Sequence, residues 1–569
     1  MKKLLVSVSL SAFLFSATPF QLKAEPSDTP SAKAIRVTPP APKFTDAERH
    51  AELGRRRAEV FKAMKPNSVF VLRSAEPRNY AGDVDFYYRQ ENNLYYLTNL
   101  KQNNATLVMV KGSEGDREYL FLPKRNPQFE TWNGKMYSNE DAQRISGVKT
   151  IVDASETQNF LQAFKDKKTF TAKDGTSIPL TAETAYFLLP YTEGDSNGFA
   201  EFQRESDFSK SLAGYKVENA RQIIDDLRHI KSPYELKLMQ HAIDITSEAQ
   251  MRSMGMVGKA KHEYEVQAEV EYTFRRRNAD YWGYPSIVGC GPNATTLHYV
   301  ESQGEVKAGD LMLMDVGAEY DHYTADVTRT YPVNGKFSKE QAEIYQIVYD
   351  AQEAAAKATK PGATMKTISE AADAVIKDGL FKLGLITDKN SNQHRIWYMH
   401  GLGHWLGMNV HDVGRYGRPF QAGMIFTNEP GIYIREDALE YLPKTPEMQA
   451  FVAKVRPVFE KYKNIGVRIE DDMLVTETGV EWMTKNLPRK LSDVEAFMAR
   501  ATKEMAYTDS RFNSNPMLAV LNLDANTFLN NDLIFNQTLS GKTIRRGWIH
   551  SGKNAAHSGL SHLEHSHGE

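Results

Sequence analysis

Acidic residues stand inside apolar, strand-like runs in the second half of the chain. Asp315 lies in LMLMDVG, Glu429 in MIFTNEPGIYI and Glu470 in GVRIEDDMLVTE. An unpaired carboxylate in a buried run is costly, so we expect these acids to be paired, hydrogen-bonded or bound to a metal. Asp326 follows Asp315 by eleven residues, and a hairpin between them would bring both side chains to one face of a sheet. The pattern therefore predicts β-strands that share an acidic site.

A glycine-punctuated stretch, residues 399–412 (MHGLGHWLGMNVHD), supplies histidines for such a site. It contains His400, His404 and His411, and its three glycines indicate close backbone approach rather than a long regular helix. Imidazoles brought together in this way bind a metal, hold a carbonyl oxygen or shuttle a proton. Three close histidines also occur as a surface accident or as a satisfied core cluster. The acidic runs favour the chemical role.

The number of carboxylates predicts how much positive charge the site takes. Four carboxylates carry −4, so one divalent ion leaves −2 in a buried pocket and two bring the charge to zero. A water shared by two such ions becomes a hydroxide nucleophile at near-neutral pH. Ligands that are mostly oxygen, with a single imidazole, favour Mn²⁺ or Co²⁺ over a thiolate-type zinc site. We therefore predict two divalent metal ions, most consistent with Mn²⁺, with Co²⁺ and Zn²⁺ as alternatives.

Strand-like and helical patterns alternate through most of the chain, which predicts an α/β (α+β) fold with two domains. Over residues 46–213, an amphipathic helical pattern at 46–65 precedes runs such as SVFVL, ATLVMVKG and EYLFLP. This first domain has no phosphate-binding glycine loop and no acid–histidine cluster, so we expect it to be structural or to shape access to a neighbouring site. A second domain is predicted over 214–485, where Ser232, Pro233 and Glu235 mark a helix start with a capping box.

The two ends of the chain read differently from its middle. Residues 1–24 have two lysines and then an apolar run, which predicts a secretory signal peptide and a periplasmic or secreted protein. Residues 25–45 read as a Pro-rich linker. Residues 486–569 read as a partly disordered C-terminal extension, whose tail is expected to be solvated rather than to sequester metal, with histidines at His550, His557, His562, His565 and His567.

Composition excludes several classes of function. Cys290 is the single cysteine, so the chain forms no intramolecular disulfide even in an oxidising compartment. A formal net charge of −2 gives no electrostatic footprint for nucleic acid. Nothing after residue 24 reads as a membrane span, so we expect no membrane association after signal cleavage.

The order Asp315, Asp326, His404, Glu429, Glu470 resembles the five-ligand set of the pita-bread metallopeptidases. The surrounding text matches as well, in DVGAEYDHYTADVTRT, HGLGHWLGMNVHD, NEPGIYI and GVRIEDD. Upstream, RHIKSPYELKLM and YRQENNLYYLTNL resemble the two-domain branch that contains Xaa-Pro aminopeptidase (aminopeptidase P) and prolidase. The resemblance covers about residues 46–485. It implies an aminopeptidase P-type N-terminal domain and a pita-bread catalytic domain.

The resemblance also implies a role for each site residue. Asp315 would bind one metal, His404 and Glu429 the other, and Asp326 and Glu470 would bridge the pair. Glu429 would also transfer protons. Among the neighbouring residues, His298 would lie near the scissile bond, His411 would stabilise the oxyanion and His400 would line the proline pocket. Arg468 and Thr328 would orient the ligands.

The substrate implied by the resemblance is a peptide with proline in second position, from which the first residue is released. The bond before proline is a tertiary amide without an N–H, which ordinary peptidases handle poorly. Prolidase, which cleaves Xaa-Pro dipeptides, shares every motif quoted above, and HGLG carries glycine where many aminopeptidase P sequences have serine. A non-catalytic pita-bread binding protein is a remote alternative because all five ligands are present. The resemblance further implies a homo-oligomer, dimer or tetramer, and Trp132 is a candidate for shaping the entrance.

Overall fold

The computed structural model of the chain describes residues 33–191 and 200–513, with side chains to residue 505. The predicted signal peptide (1–24), the first part of the predicted linker, the extension from residue 514 and its histidine-rich tail lie outside the described residues. The chain divides into a compact unit, Met1–Tyr507, and a second unit, Thr508–Glu569, of which only the end of a helix is described. Within the described residues, no helix combines the length and apolarity that crossing a membrane requires.

A six-stranded mixed sheet forms the centre of the N-terminal domain. The helices of this domain are α1 (Asp46–Ala63), α2 (Asn92–Thr98), α3 (Pro127–Asn133), α4 (Asn139–Ser146), α5 (Thr157–Lys165), α6 (Ala200–Lys210) and α7 (Arg221–His229). Its strands are β1 (Ser68–Arg73), β2 (Asn79–Ala81), β3 (Val84–Asp85), β4 (Thr106–Gly112), β5 (Gly115–Leu122), β6 (Thr150–Asp153), β7 (Phe170–Thr171), β8 (Ser177–Ile178), β9 (Thr184–Phe187) and β10 (Lys216–Asn219). The strand order of the sheet is β10-β9-β1-β4-β5-β6.

Both faces of this sheet are buried, which explains the unbroken apolar run SVFVL in β1. Val69 and Val71 pack on one face with the aromatic side chains of α5, and Phe70 and Leu72 pack on the other with α1 and α2. The second of these clusters extends into the C-terminal domain through Leu406. The N-terminal sheet is therefore continuous in its packing with the segment that carries the predicted histidines.

The C-terminal domain is built from short antiparallel sheets covered by long helices. Its helices are α8 (Pro233–Met256), α9 (Glu263–Arg276), α10 (Lys339–Ala358), α11 (Met365–Leu383), α12 (Pro446–Tyr462) and α13 (Leu491–Asn513). Its strands are β11 (Tyr281–Trp282), β12 (Ile287–Cys290), β13 (Leu311–Val316), β14 (Ala318–Tyr320), β15 (Tyr323–Thr324), β16 (Val327–Pro332), β17 (Ile425–Asn428), β18 (Gly431–Ile434), β19 (Ile465–Arg468), β20 (Asp471–Val475) and β21 (Val480–Trp482). Four sheets result, with strand orders β12-β13-β16, β17-β20-β21, β11-β14-β15 and β18-β19.

The predicted start of α8 is confirmed in detail. Ser232 is the N-cap, Pro233 is the first helical residue, and Ser232 and Glu235 form the reciprocal capping box. Helix α8 is buried along most of its length because it packs on β14, β15 and β16, the strands on either side of Asp326 in the sequence. The sequence signal therefore locates the helix that supports the site.

Segments that the sequence assigns to a linker and an extension pack on the C-terminal domain where they are described. Residues 33–45 contain no helix or strand, but Ile35 is buried and both the amide and the hydroxyl of Thr38 donate to Glu248 of α8, at 2.8 and 2.7 Å. Helix α13 buries Phe497 and Ala501 in the hydrophobic core of this domain. The boundaries drawn at residues 45, 213 and 485 stay predictions.

Candidate active site

Strand pairing brings Asp315 and Asp326 together. Asp315 lies in β13 and is paired with Thr328 of β16, while Asp326 immediately precedes β16. The hairpin expected between the two acids is not a simple one, because β14 and β15 form their own hairpin there and Asp326 lies one residue before β16. The Tyr284 hydroxyl lies 2.5 Å from Oδ1 of each acid. The two carboxylates therefore face the same point.

Glu429 and Glu470 occupy breaks between consecutive strands. Glu429 follows β17 directly and precedes Pro430, whose missing N–H interrupts the sheet before β18. Glu470 separates β19 from β20, and the pairing of Asn428 with Asp471 sets the two glutamates side by side. Both side chains thus leave the ends of paired strands and point into one cavity.

His404 is held by close contact with β17. A Cβ on Gly403 would lie 1.9 Å from the Thr427 carbonyl oxygen, so this position requires glycine. The His404 amide donates to Thr427 Oγ1 at 3.0 Å, and its Nδ1 lies 3.2 Å from the Trp405 carbonyl oxygen. Nε2 then faces Asp326 Oδ2 at 3.3 Å and Glu429 Oε1 at 3.4 Å. The contact through Nδ1 fixes the ring so that Nε2 points at the acids.

All five predicted metal ligands line one cavity of about 750 Å³. Ligand atoms of Asp326, His404 and Glu470 lie within 4.8 Å of one another. The same cavity is lined by the three histidines predicted around the ligands, His298, His400 and His411. The structure therefore brings together every residue that the sequence singled out for binding or catalysis.

The charges in the cavity fit divalent cations. Burial raises the pKa of Glu429 to about 7, and the charges of Asp326 and Asp315 add to this effect. The pKa values of Asp326 and Glu470 are raised for the same reasons. Burial alone would lower the pKa of His404, but its hydrogen bond to Asp326 and the charge of Glu429 raise it to about 9. Near neutral pH, a divalent cation that binds here would displace a proton from Glu429 and from His404.

Arg468 and Thr328 connect two of the acids that are predicted to bind metal. The Arg468 guanidinium donates to Asp315 Oδ2 at 2.5 Å and to Thr328 Oγ1 at 3.1 Å. Thr328 in turn donates its hydroxyl proton to Glu470 Oε2 at 2.6 Å. Arg468 is almost fully buried, and it is the one cation among the described residues that line the cavity apart from the histidines. It fixes the orientation of two acids on different sheets.

Burial favours the neutral form of His400 and of His411. Burial and the nearby Arg468 charge lower the pKa of His400 to about 3. Its Nε2 lies 2.8 Å from the Tyr433 hydroxyl and its Nδ1 lies 2.7 Å from the Gly401 carbonyl oxygen. The ring of His411 lies 4.3 Å from that of His404, and desolvation together with the His404 charge lowers the pKa of His411 to about 4. Neutral rings can donate or accept hydrogen bonds without adding charge to the site.

Two family models match the chain. The model of the aminopeptidase P N-terminal domain matches residues 53–171, and the model of metallopeptidase family M24 matches residues 237–477. An Xaa-Pro aminopeptidase of Haemophilus influenzae is 35% identical over 458 residues, covering 79% of this chain and 97% of its relative. One from Escherichia coli is 33% identical, covering 80% and 98%. The chain belongs to the aminopeptidase P family. It is therefore a metallopeptidase.

Solved structures of the aminopeptidase P family have the same fold. The E. coli aminopeptidase P bound to the inhibitor Pro-Leu superposes with a TM-score of 0.68 at 31% identity, covering 81% of this chain and 100% of that chain. Proline aminopeptidase P II from Yersinia pestis gives 0.66 at 31% identity, covering 79% and 99%. These likenesses confirm the predicted α/β fold, with an N-terminal domain and a C-terminal pita-bread domain.

Three site residues of this aminopeptidase P family member escape the sequence analysis. Tyr284 contacts two ligands, Tyr433 accepts from Arg468 at 2.8 Å while contacting His400, and the Thr427 hydroxyl lies 3.1 Å from Glu429 Oε1. Tyr433 stands four residues after Glu429, within the quoted run NEPGIYI, so its position was a usable signal. Trp132, in contrast, is 84% exposed on α3 and does not line this cavity.

Proposed function

We propose that the protein is an Xaa-Pro aminopeptidase that releases the N-terminal residue from peptides with proline in second position. The observation that carries this proposal is the convergence of four carboxylates and His404 in one cavity with three flanking histidines. The printed names of the relatives, Xaa-Pro aminopeptidase, support the substrate class. The dipeptide-specific alternative, prolidase, is tested below.

Two divalent cations are the proposed cofactor, held by Asp315, Asp326, His404, Glu429 and Glu470. The charge count supports two ions rather than one, and the oxygen-rich donors support Mn²⁺, with Co²⁺ and Zn²⁺ as alternatives. When bound, the ions supply Lewis-acid activation of water and of the scissile carbonyl.

The chain's own residues then divide the remaining work. Glu429, with a pKa near 7, can accept and return a proton at neutral pH, which suits transfer from the nucleophile to the leaving nitrogen. His411 is neutral and can donate a ring N–H to the oxygen that gains charge in the tetrahedral transition state. His298 lines the same cavity and is proposed to contact the substrate beside the scissile bond.

Apolar side chains next to the histidines are suited to a proline ring. Ile287, Leu297, Val300 and Tyr416 share the cavity with His400, whose two ring nitrogens already have partners. His400 therefore presents a ring surface rather than a free hydrogen-bonding group. Burial of an apolar ring in such a pocket is favourable, and binding there requires no backbone N–H from the substrate.

The test compares three substrates after metal removal and after reloading with Mn²⁺: an Xaa-Pro-Xaa tripeptide, the Xaa-Pro dipeptide, and a tripeptide with alanine in place of proline. We expect metal-dependent release of the first residue from the proline tripeptide. Activity restricted to the dipeptide would favour prolidase, and inactivity with every divalent metal would favour a binding protein. Glu470→Ala should abolish turnover, and Glu477→Gln, on an exposed loop, serves as the matched surface control.

We also propose that the protein is exported and forms a homo-oligomer. Residues 1–24 support secretion to the periplasm or the medium, and the family resemblance supports a dimer or tetramer. Light scattering of the purified mature chain would decide the oligomeric state.

A further inference from the structure

The motif YRQENN of the N-terminal domain lies against the back of the active-site wall. Some residues of segment 408–412 line the catalytic cavity, and the others contact residues outside it. Val410 and His411 line the catalytic cavity, whereas Met408, Asn409 and Asp412 make contacts on the opposite side with polar residues outside the cavity. Whatever fixes the outer side of this segment also fixes where His411 points.

Arg89 and Asn92 provide two of these outer contacts. Arg89 donates from Nη2 to the Met408 carbonyl oxygen at 2.7 Å and from Nη1 to Asn92 Oδ1 at 2.7 Å. The side-chain amide of Asn92 then donates to Asn409 Oδ1 at 2.8 Å. Glu319 of β14 holds Arg89 by a two-oxygen ion pair at 3.0 and 2.8 Å. The motif is therefore anchored on the catalytic domain at both ends.

A buried ion pair provides the third contact. Arg228 donates to Asn93 Oδ1 at 2.8 Å and to Asp412 Oδ1 at 2.5 Å, and the Arg228 and Asp412 side chains are nearly inaccessible. Lys231 Nζ lies 3.6 Å from the other Asp412 oxygen. A carboxylate held in this way stays fixed because moving it would leave charges unpaired in the protein interior. Asp412 is the next residue after His411, so its position restricts the His411 backbone.

We propose that Arg89, Asn92 and Arg228 are positioning residues for His411, so that the N-terminal domain sets the geometry of catalysis through its contacts with residues 408–412. The turnover measurements that test this inference rest on the proposed function, whereas the hydrogen-exchange measurements do not. It gives the N-terminal domain a catalytic consequence although none of its described residues lines the cavity.

The test removes the hydrogen bond between Asn92 and Asn409 by substituting each partner in turn. Asn92→Leu removes the hydrogen bond at similar volume, and Asn409→Ala removes its partner. In Asn92→Asp the carboxylate still accepts from Arg89, and the Asn409 amide can turn to donate to it. Lys101→Met is the matched control, because it removes a different contact between the two domains, the ion pair with Asp280 at 3.2 Å.

Turnover should separate positioning from general loosening. Misplacing a catalytic group by about 1 Å costs up to about a hundredfold in rate, so we expect kcat to fall between about tenfold and a hundredfold in Asn92→Leu and Asn409→Ala. KM should stay within about twofold, because a contact made only in the transition state is lost. The double variant should be no worse than either single one, Asn92→Asp should regain most of the loss, and Lys101→Met should match the wild type.

Hydrogen exchange followed by mass spectrometry gives a readout that needs no turnover. The Asp412 amide donates to the Trp405 carbonyl oxygen at 2.9 Å. In Asn92→Leu, peptides covering 404–413 should exchange faster, and in Lys101→Met they should not. Unchanged kcat and unchanged exchange in both single variants, or equal losses in Lys101→Met, would overturn the inference. If the wild type fails on every Xaa-Pro peptide while exchange responds as expected, the proposed function fails and the packing role of the motif stands.

Discussion

Replacing Glu429 with glutamine should make the metal-free protein more stable and the enzyme inactive. Glu429 is one of four carboxylates around the cavity, and burial raises its pKa from 4.5 to about 7. The folded state therefore binds this proton more tightly than the unfolded state does. Ionising the group opposes folding, and the penalty is absent below about pH 4.5, grows as the pH rises and is complete above about pH 7.

The magnitude follows from the size of the shift. A difference of about 2.5 pKa units at 1.36 kcal/mol per unit corresponds to about 3 kcal/mol at pH 8. Glutamine has the same shape, stays neutral and can still accept the Thr427 hydroxyl proton that Glu429 accepts at 3.1 Å. The variant should thus lose the penalty without leaving a cavity or an unpaired hydroxyl. Bound divalent cations should reverse the order of stabilities, because the variant has lost a charged ligand.

Urea unfolding of chelated wild type and Glu429→Gln at pH 4.5 and pH 8 measures the difference directly. We expect the variant to gain about 3 kcal/mol at pH 8 and nothing at pH 4.5. The exposed Glu477→Gln should show no pH-dependent difference. A variant that is less stable than the wild type at pH 8, or a gain that persists at pH 4.5, would refute the reasoning that burial opposes the ionisation of Glu429 in the metal-free protein.

Three further predictions concern other parts of the molecule. Tyr284→Phe removes the hydroxyl shared by two ligands, so Mn²⁺ affinity measured by calorimetry should fall by about tenfold to a hundredfold, and an unchanged affinity would contradict this role. Burial lowers the pKa of His229 from 6.5 to about 4, so stability is retained above about pH 6.5 and lost as the pH falls towards 4, by up to roughly 3 kcal/mol; His229→Gln should lack this acid loss in urea titrations. Mass spectrometry of the protein from an exporting host should give a chain that begins at Glu25, and a chain that keeps Met1 would contradict the signal peptide.

The acids that line the cavity could be singled out from the sequence because they are charged residues within apolar runs. Burying a carboxylate such as Asp315 in LMLMDVG is unfavourable unless another group compensates its charge, and the same argument applies to Glu429 and Glu470. Helix starts such as Ser232–Pro233 were equally accessible, since capping is a local interaction. Both kinds of prediction depend on neighbours in sequence.

Contacts between distant residues could not be predicted in this way. Nothing in WGYPSIVG indicates that Tyr284 meets two aspartates 31 and 42 residues away. The position of Asp326 just outside β16 depends on the extra hairpin of β14 and β15, which a run of polar and aromatic residues does not reveal. The described part of the predicted linker reads as Pro- and Ala-rich text, yet Ile35 is buried because a surface on α8 and α13 receives it. Tertiary packing decides such cases.

The attachment of residues 33–38 has a consequence for how the protein folds. The amide of Ala34 donates to Glu504 of α13 at 2.7 Å across 470 positions, so this hydrogen bond can form only after α13 has been synthesised. Contacts of such long range form slowly because a large loop must close first. A chain shortened to end before Glu504 should therefore leave residues 33–38 detached from α13 and open to proteolysis.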